Sequence, residues 1–293
     1  MADSVHTGSE EIIFETASLV GTGFERTTDR RMIHQHDDRL ELLLIDTGEG
    51  ILQTGTGRYP VNENSLIVCN QGTLHGLEQA GTKYVDSYSM AVRDILLPGL
   101  PENCMITEPV SPVLMLEEAD SQALRYLFKL LHTRFSISRE EDSYCHSLKS
   151  TILALVWQQV SASGSAQLPE EENGKKRMAR EIQAYLEAHY LEPVMLEDIG
   201  TALNISSSRI SHVFREITGI SPILWCLQRR LGDAQSLLSE TELSIGEIQE
   251  RTGFGSINHF CQMFKKQVGI TPTEYRKKMT NVAKSHTGEE ITR

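Results

Sequence analysis

The chain predicts an α+β multidomain protein: an N-terminal β-barrel or sandwich with trailing helices, a linker, and a C-terminal all-α domain holding two helix-turn-helix units. Three observations predict it. One helix–turn–helix grammar occurs twice in the last hundred residues. The hydrophobic period changes from strand-like to helical near residue 117. A Ser-, Gly- and Glu-rich stretch, SASGSAQLPEEENGK at 161–175, separates two structured halves. The expected division is therefore 11–160, a linker at 161–175, a helical domain at 176–280 and a polar tail at 281–293.

The first half opens with short strand-length runs. LELLLID at 40–46, SLIVC at 65–69 and KYVDSYSMAV at 83–92 are bounded by Gly, Asn and Asp turns, the spacing of a small sandwich or barrel. Helical stripes follow. Leu124, Leu127, Phe128 and Leu131 fall at i, i+3, i+4 and i+7, and Leu148, Ile152, Leu155 and Val156 make a second face. Two uses fit these stripes: packing on the strands, or a seam with a second copy of the chain.

In the second half a helix is expected over 176–190, with Ile182, Tyr185, Leu186 and His189 on one face and Pro193 past its end. The repeat comes next. Leu196, Ile199, Leu203 and Ile205 stand 49 positions before Ile245, Ile248, Thr252 and Phe254; Phe214, Gly219 and Pro222 stand 50 before Phe264, Gly269 and Pro272. The first unit reads as a helix at 196–203, a turn at 204–206 with Ser206 as N-cap, and a second helix at 207–218 closed by Gly219. A helix at 222–239, starting on Pro222, connects the units. The second unit has a turn at 253–255 and a helix at 256–268; after Arg276 the chain is expected to fray. A short helix, a tight turn and a longer helix with one apolar face is the unit that lays a reading helix in the major groove.

Charge divides along the same line. The chain carries 28 Lys+Arg against 40 Asp+Glu, a net charge of -12; residues 176–293 hold 15 basic and 14 acidic side chains, and the first 175 hold 13 and 26. Acidity is confined to the half that need not approach phosphate. A neutral reading half implies modest non-specific affinity and so a site-specific regulator. Five dispersed cysteines without a CxxC pair read as free thiols of a reducing cytoplasm. No stretch is apolar enough to span a bilayer, and the acidic start lacks a signal-peptide pattern, so no membrane partner is expected.

Buried stripes assign the outward faces. If Ile210, Val213, Phe214 and Ile217 are core, then Ser208, Arg209, Ser211, His212 and Arg215 face out. If Phe260, Met263 and Phe264 are core, then Ile257, Asn258, Cys261, Gln262, Lys265 and Lys266 do. Arginine forks onto guanine O6/N7, Asn and Gln onto adenine N6/N7, and lysines suit phosphates. The bland reading of each is a solvated helix face.

Residues 182–278 resemble the DNA-binding domain of AraC-type transcription regulators. The marks are GISP, Arg230-Leu231 with Ala234 and Leu237-Leu238, LSIGEI, Gly253-Phe254, Phe260 with Phe264-Lys265-Lys266, and GITPTEYRK. Gln249 stands where the family favours a small residue, and Cys261-Gln262 where Ser-Arg is common. Residues 30–80 resemble the cupin-like sensor domain of the same family: His34, His36, Glu41 and Gly48 in HQHDDRLELLLIDTG, then Gly72 and His75 in NSLIVCNQGTLH, with Asn64 and Asn70 replacing the usual Gly and Pro.

The resemblance implies a homodimeric activator that binds double-stranded promoter DNA, works with RNA polymerase and responds to a small-molecule effector, with sugars the commonest class. His34, His36, Glu41 and His75 would then line the effector pocket, without a metal or other cofactor and without catalysis. The alternative is a metal-dependent cupin enzyme fused to a DNA-binding domain, since three imidazoles and a carboxylate suit Fe, Mn, Ni or Zn.

Overall fold

The computed structural model describes residues 17–26, 32–55, 57–80, 84–107, 110–138, 140–164 and 174–285. Its first half is a two-layer sandwich. One sheet has five strands: β1 (Ser18–Arg26), β2 (Leu40–Thr47), β5 (Ser65–Cys69), β7 (Asp86–Arg93) and β8 (Val113–Met115), in the order β1-β7-β2-β5-β8. The other has three: β3 (Gly50–Thr54), β4 (Arg58–Val61) and β6 (His75–Gln79), in the order β4-β3-β6. Adjacent strands run antiparallel. The third run expected from the sequence, 83–92, begins its strand at Asp86.

Alternation along β2 explains its nearly unbroken apolar run, because both faces are covered. Leu40, Leu42 and Leu44 join the core on the helix side, while Leu43 and Ile45 point between the sheets with Leu52, Val61, Ile67, Cys69 and Val85. Glu41 shares the inter-sheet parity, and this carries a carboxylate into the sandwich.

Two helices, α1 (Glu118–Ser138) and α2 (Ser143–Gly164), cover the five-stranded sheet. Leu124, Phe128 and Leu131 of α1, and Leu148, Ile152 and Val156 of α2, are buried in the same core as the β2 leucines, with Leu127 and Leu155 half-buried beside them. Both predicted stripes are thus spent on packing within the chain. A seam through either stripe, one of the two expected uses, is corrected by this burial. Lys149 of α2 is wholly buried and donates to the Ala17 carbonyl and to Glu141 Oε1 (2.6 Å), pinning the start of β1.

The second half is α3 (Gly174–His189), α4 (Leu196–Leu203), α5 (Ser207–Thr218), α6 (Pro222–Glu240), α7 (Ile245–Arg251), α8 (Ile257–Val268) and α9 (Pro272–Ser285). The expected linker loses its ends to α2 and α3, and 165–173 lies outside the described residues. Fraying after Arg276 is corrected: α9 runs to Ser285, anchored by buried Tyr275 and by Arg276, which donates to the Leu243 carbonyl at 2.5 Å. The tail expected at 281–293 is therefore helical to 285, and the rest lies outside the described residues.

Local chemistry sets the helix ends. Ser206, Ser221, Ser244 and Ser256 each accept a hydrogen bond from the amide three residues on. Each helix-turn-helix turn needs one left-handed residue, Asn204 (φ 55°) in the first and Gly253 (φ 72°) in the second. Two compact cores result, one per unit: Ile182, Leu186, Ile199, Ile210, Phe214 and Trp225 in the first, and Leu231, Leu238, Ile248, Phe254, Phe260 and Phe264 in the second. Arg230 of α6 ties them together by donating to the carbonyls of Tyr190, Glu192 (2.6 Å) and Gly253 (3.0 Å).

Candidate DNA-reading faces and sensor pocket

On α5 the inner face is Ile210, Val213 and Phe214, all buried. The opposite face leaves Ser208, Arg209, His212 and Arg215 exposed and Ser211 half-buried. Ile217, expected in the buried stripe, is only half-buried, and Thr218 is buried in the last turn instead. His212 lies 3.6 Å from Glu216 one turn on, and Lys175 holds that carboxylate from α3 at 2.7 Å. On α8, Phe260 and Phe264 are buried, and Ile257, Asn258, Gln262, Lys265 and Lys266 are exposed. Cys261 is half-buried against the second core, so it belongs to packing more than to the open face. His259, which periodicity passed over, is exposed on the first turn of α8 with its ring edge on Phe254. Gln249, the residue out of family pattern, donates from Nε2 to the Phe254 carbonyl and so braces the second turn.

The four sensor residues converge. Glu41 comes from β2, His75 opens β6, and His34 and His36 lie on the segment before β2. His34 and His75 exchange both backbone hydrogen bonds at 2.9 Å, an isolated antiparallel bridge that places their rings 4.3 Å apart. Glu41 Oε2 accepts from His75 Nε2 (2.9 Å) and lies 3.2 Å from His36 Nε2. The Gly72 amide donates to the His36 carbonyl at 2.8 Å, which fixes the second arm. His34, Glu41 and His75 are buried, and His36 is nearly so.

Two details bear on what this cluster can hold. His34 donates from Nδ1 to the Met32 carbonyl (3.0 Å) and His75 from Nδ1 to the Thr73 carbonyl (2.8 Å), so both Nε2 atoms turn inward. One donor atom from each of the four residues lies within 4.8 Å of the others. Backbone carbonyls on the far nitrogen are how proteins orient metal-binding imidazoles, and three nitrogens with one carboxylate suit a divalent first-row ion. The residues fit such an ion. Burial drives the His75 imidazolium pKa down, but Cys69 and Glu41 raise it by more, so the net position is well above the ordinary value.

The residues that sequence reasoning missed lie between the halves. Met32 is buried in the core of the second helix-turn-helix unit, Ile33 and Leu74 in that of the first. Gly232, in the middle of α6, was their available signal: a glycine among good helix formers marks a close backbone approach.

A β-sandwich with an enclosed polar cluster, joined to two helix-turn-helix units with open reading faces, defines a ligand-responsive DNA-binding regulator. Comparisons with known proteins agree. The AraC-like ligand binding domain family matches residues 20–156, and a family described as a helix-turn-helix domain matches residues 199–278. The chain belongs to the AraC-type (AraC/XylS) transcription regulators: it binds DNA sequence-specifically and controls transcription in response to a small-molecule effector. YdiP of Escherichia coli (strain K12), an HTH-type transcriptional regulator, is 26% identical over 251 residues, 85% of this chain and 82% of its own. The HTH-type transcriptional activator RhaS of Enterobacter sp. (strain 638) is 30% identical over 137 residues, 47% of this chain and 49% of its own. Among solved structures, ToxT from Vibrio cholerae O395 aligns over 91% of this chain and 99% of its own at 15% identity, with a TM-score of 0.48. No helix among the described residues is long and apolar enough to cross a membrane.

Proposed function

We propose that α5 and α8 enter successive major-groove segments of a promoter, with Arg209, His212, Asn258 and Gln262 meeting base edges and Arg215, Lys265 and Lys266 meeting phosphates. Ser208, Ser211 and Ile257 complete the two faces. The observation that carries this reading is that both helices bury their inner stripe and keep these side chains open, although the sensor half packs against α6. The protein acts in the cytoplasm, as a homodimer, and activates through RNA polymerase. An activator among its relatives supports the sense of regulation. With both helical stripes spent, the exposed Tyr126, Ile137 and Tyr144 are the apolar groups left on α1 and α2 for a second copy.

His34, His36, Glu41 and His75 hold the effector, and sugars are the first class to screen. A second reading is favoured by the inward Nε2 atoms of His34 and His75: the effector is a divalent transition-metal ion, bound without catalysis. Operator variants test the DNA assignment. Arg209→Ala is expected to cost about 1–3 kcal/mol and to relax preference at one base pair. Gln262→Ala should do the same roughly one helical turn away. Lys265→Ala should weaken all sequences alike and reduce the salt slope by about one charge. A uniform loss for Arg209→Ala with a base-selective loss for Lys265→Ala would reverse the assignment of faces.

A further inference from the structure

Three consecutive residues of the sensor half have three different destinations. Met32 is buried among Leu231, Ala234, Phe254 and Phe260 of the second helix-turn-helix unit, and its amide donates to Gln235 Oε1 of α6 at 2.8 Å. Ile33 is buried among Ile182, Phe214 and Trp225 of the first unit. His34 belongs to the sensor cluster. The partner strand repeats the pattern: Leu74 joins Ile33 in the first unit's core, and His75 joins His34 in the cluster. Alternation in the bridged pair separates Ile33 and Leu74 from His34 and His75, since neighbouring side chains leave on opposite sides, while Met32 lies before the bridge and turns to the second unit.

The contact on α6 has no slack. A Cβ at Gly232 would stand 2.2 Å from the Ile33 carbonyl oxygen and 3.2 Å from His34 Cβ. The 33–34 arm of the bridge therefore lies directly on the backbone of the helix that joins the two reading units.

We propose that the 32–34 and 74–75 segments form a lever through which the state of the His34/His36/Glu41/His75 cluster is read by α6, and thus by both DNA-reading units. The proposal rests on the cluster being the effector site. A ligand that draws in its four donors shifts His34 and His75. An ion with bonds of about 2 Å brings donors spread over as much as 4.8 Å to within roughly 3.5 Å of one another. Ile33 and Leu74 are the next residues along the chain, and close-packed cores pass such a shift on instead of absorbing it. Met32 and Ile33 then press on different units, so one movement changes how α5 and α8 stand to each other.

The test is a double-mutant cycle on the full chain, with an operator selected from random duplexes. His36→Gln perturbs the cluster from its more open edge; Gly232→Ala forces the lever off α6 while favouring the helix itself. His36→Gln should change operator affinity about fivefold or more in the otherwise unaltered protein and within about twofold in the Gly232→Ala background. Met32→Ala, which changes no residue of the reading half, should suppress the effect in the same way, and helix circular dichroism of both backgrounds at the assay temperature guards against a folding defect. An equal effect of His36→Gln in all three backgrounds, or no effect in the first, would overturn the lever. Nickel(II) titration of the same proteins tests the occupant separately. Binding that shifts affinity only where the lever is intact supports both ideas, and a non-additive cycle without nickel binding removes the metal and keeps the lever.

Discussion

Arg230 is placed to set the distance between the two reading units, and removing it tests whether they act as one body. Its guanidinium spans the Tyr190 and Glu192 carbonyls at the end of α3 and the Gly253 carbonyl in the second turn, with the Phe254 ring 5.9 Å from Cζ. The Glu192 bond is exposed to solvent, so water replaces it at little cost. The other two are partly buried and made by a charged donor, for which about 1.5 kcal/mol each is a discounted figure, giving roughly 3 kcal/mol for Arg230→Ala. Arg230→Lys should restore less than half, because a point charge cannot reach three carbonyls as a planar fork does. Urea unfolding followed by helix circular dichroism measures this. DNA affinity adds a sharper criterion. Against an operator carrying both major-groove segments, Arg230→Ala should lose about tenfold or more, as the second contact stops being effectively intramolecular. Against a duplex carrying one segment it should lose little. Equal losses on both duplexes would make Arg230 a phosphate contact, and an unchanged urea midpoint would show that the strut carries no load.

Lys149→Ala leaves the Glu141 carboxylate without its buried partner and the Ala17 carbonyl without its donor, so the thermal transition should fall by the equivalent of about 3 kcal/mol; an unchanged midpoint would refute the anchor. Acid should weaken the start of α2. The Cys145 amide, then Arg134, hold Asp142 down at about 2, and burial pushes Glu141 up less than Lys149 and the Leu19 amide pull it down. Depressed carboxylates contribute stability above their ordinary values near 4, and that contribution disappears as pH falls toward 2. Stability against pH should therefore decline across that window, and Asp142→Asn should flatten the decline. A fragment of residues 174–293 should bind the operator more weakly than the full chain and unfold more easily, since it lacks Met32, Ile33 and Leu74 from its two cores; gel shifts and melting curves on both would expose an error.

Most of the reading half was legible, because what shapes it is local; Ile217, Cys261 and the length of α9 are the exceptions. Ser206 as cap, Gly219 as stop, and the apolar stripe of each helix act within a few positions, so the bounds of α4 and α5 agree with those read from the chain, while Ser256, expected inside the second reading helix, is its cap. Outward faces followed from the same periodicity. The HxH spacing and His75 also announced a cluster, since alternation alone puts His34 and His36 on one side of an extended segment. Pairing was different. No local signal says that His34 bridges His75 across more than forty residues, that β2 is covered on both faces, or that the stripes of α1 and α2 are spent on a sheet and not on a second chain. The lever is the extreme case: Met32, Ile33 and Leu74 look like ordinary sensor residues, yet they complete the cores of the DNA-reading units. Backbone capping and side-chain period are properties of a short stretch, and sequence by itself determined them. Which apolar face meets which is decided only when distant segments compete for the same buried space, and that is settled by the tertiary structure.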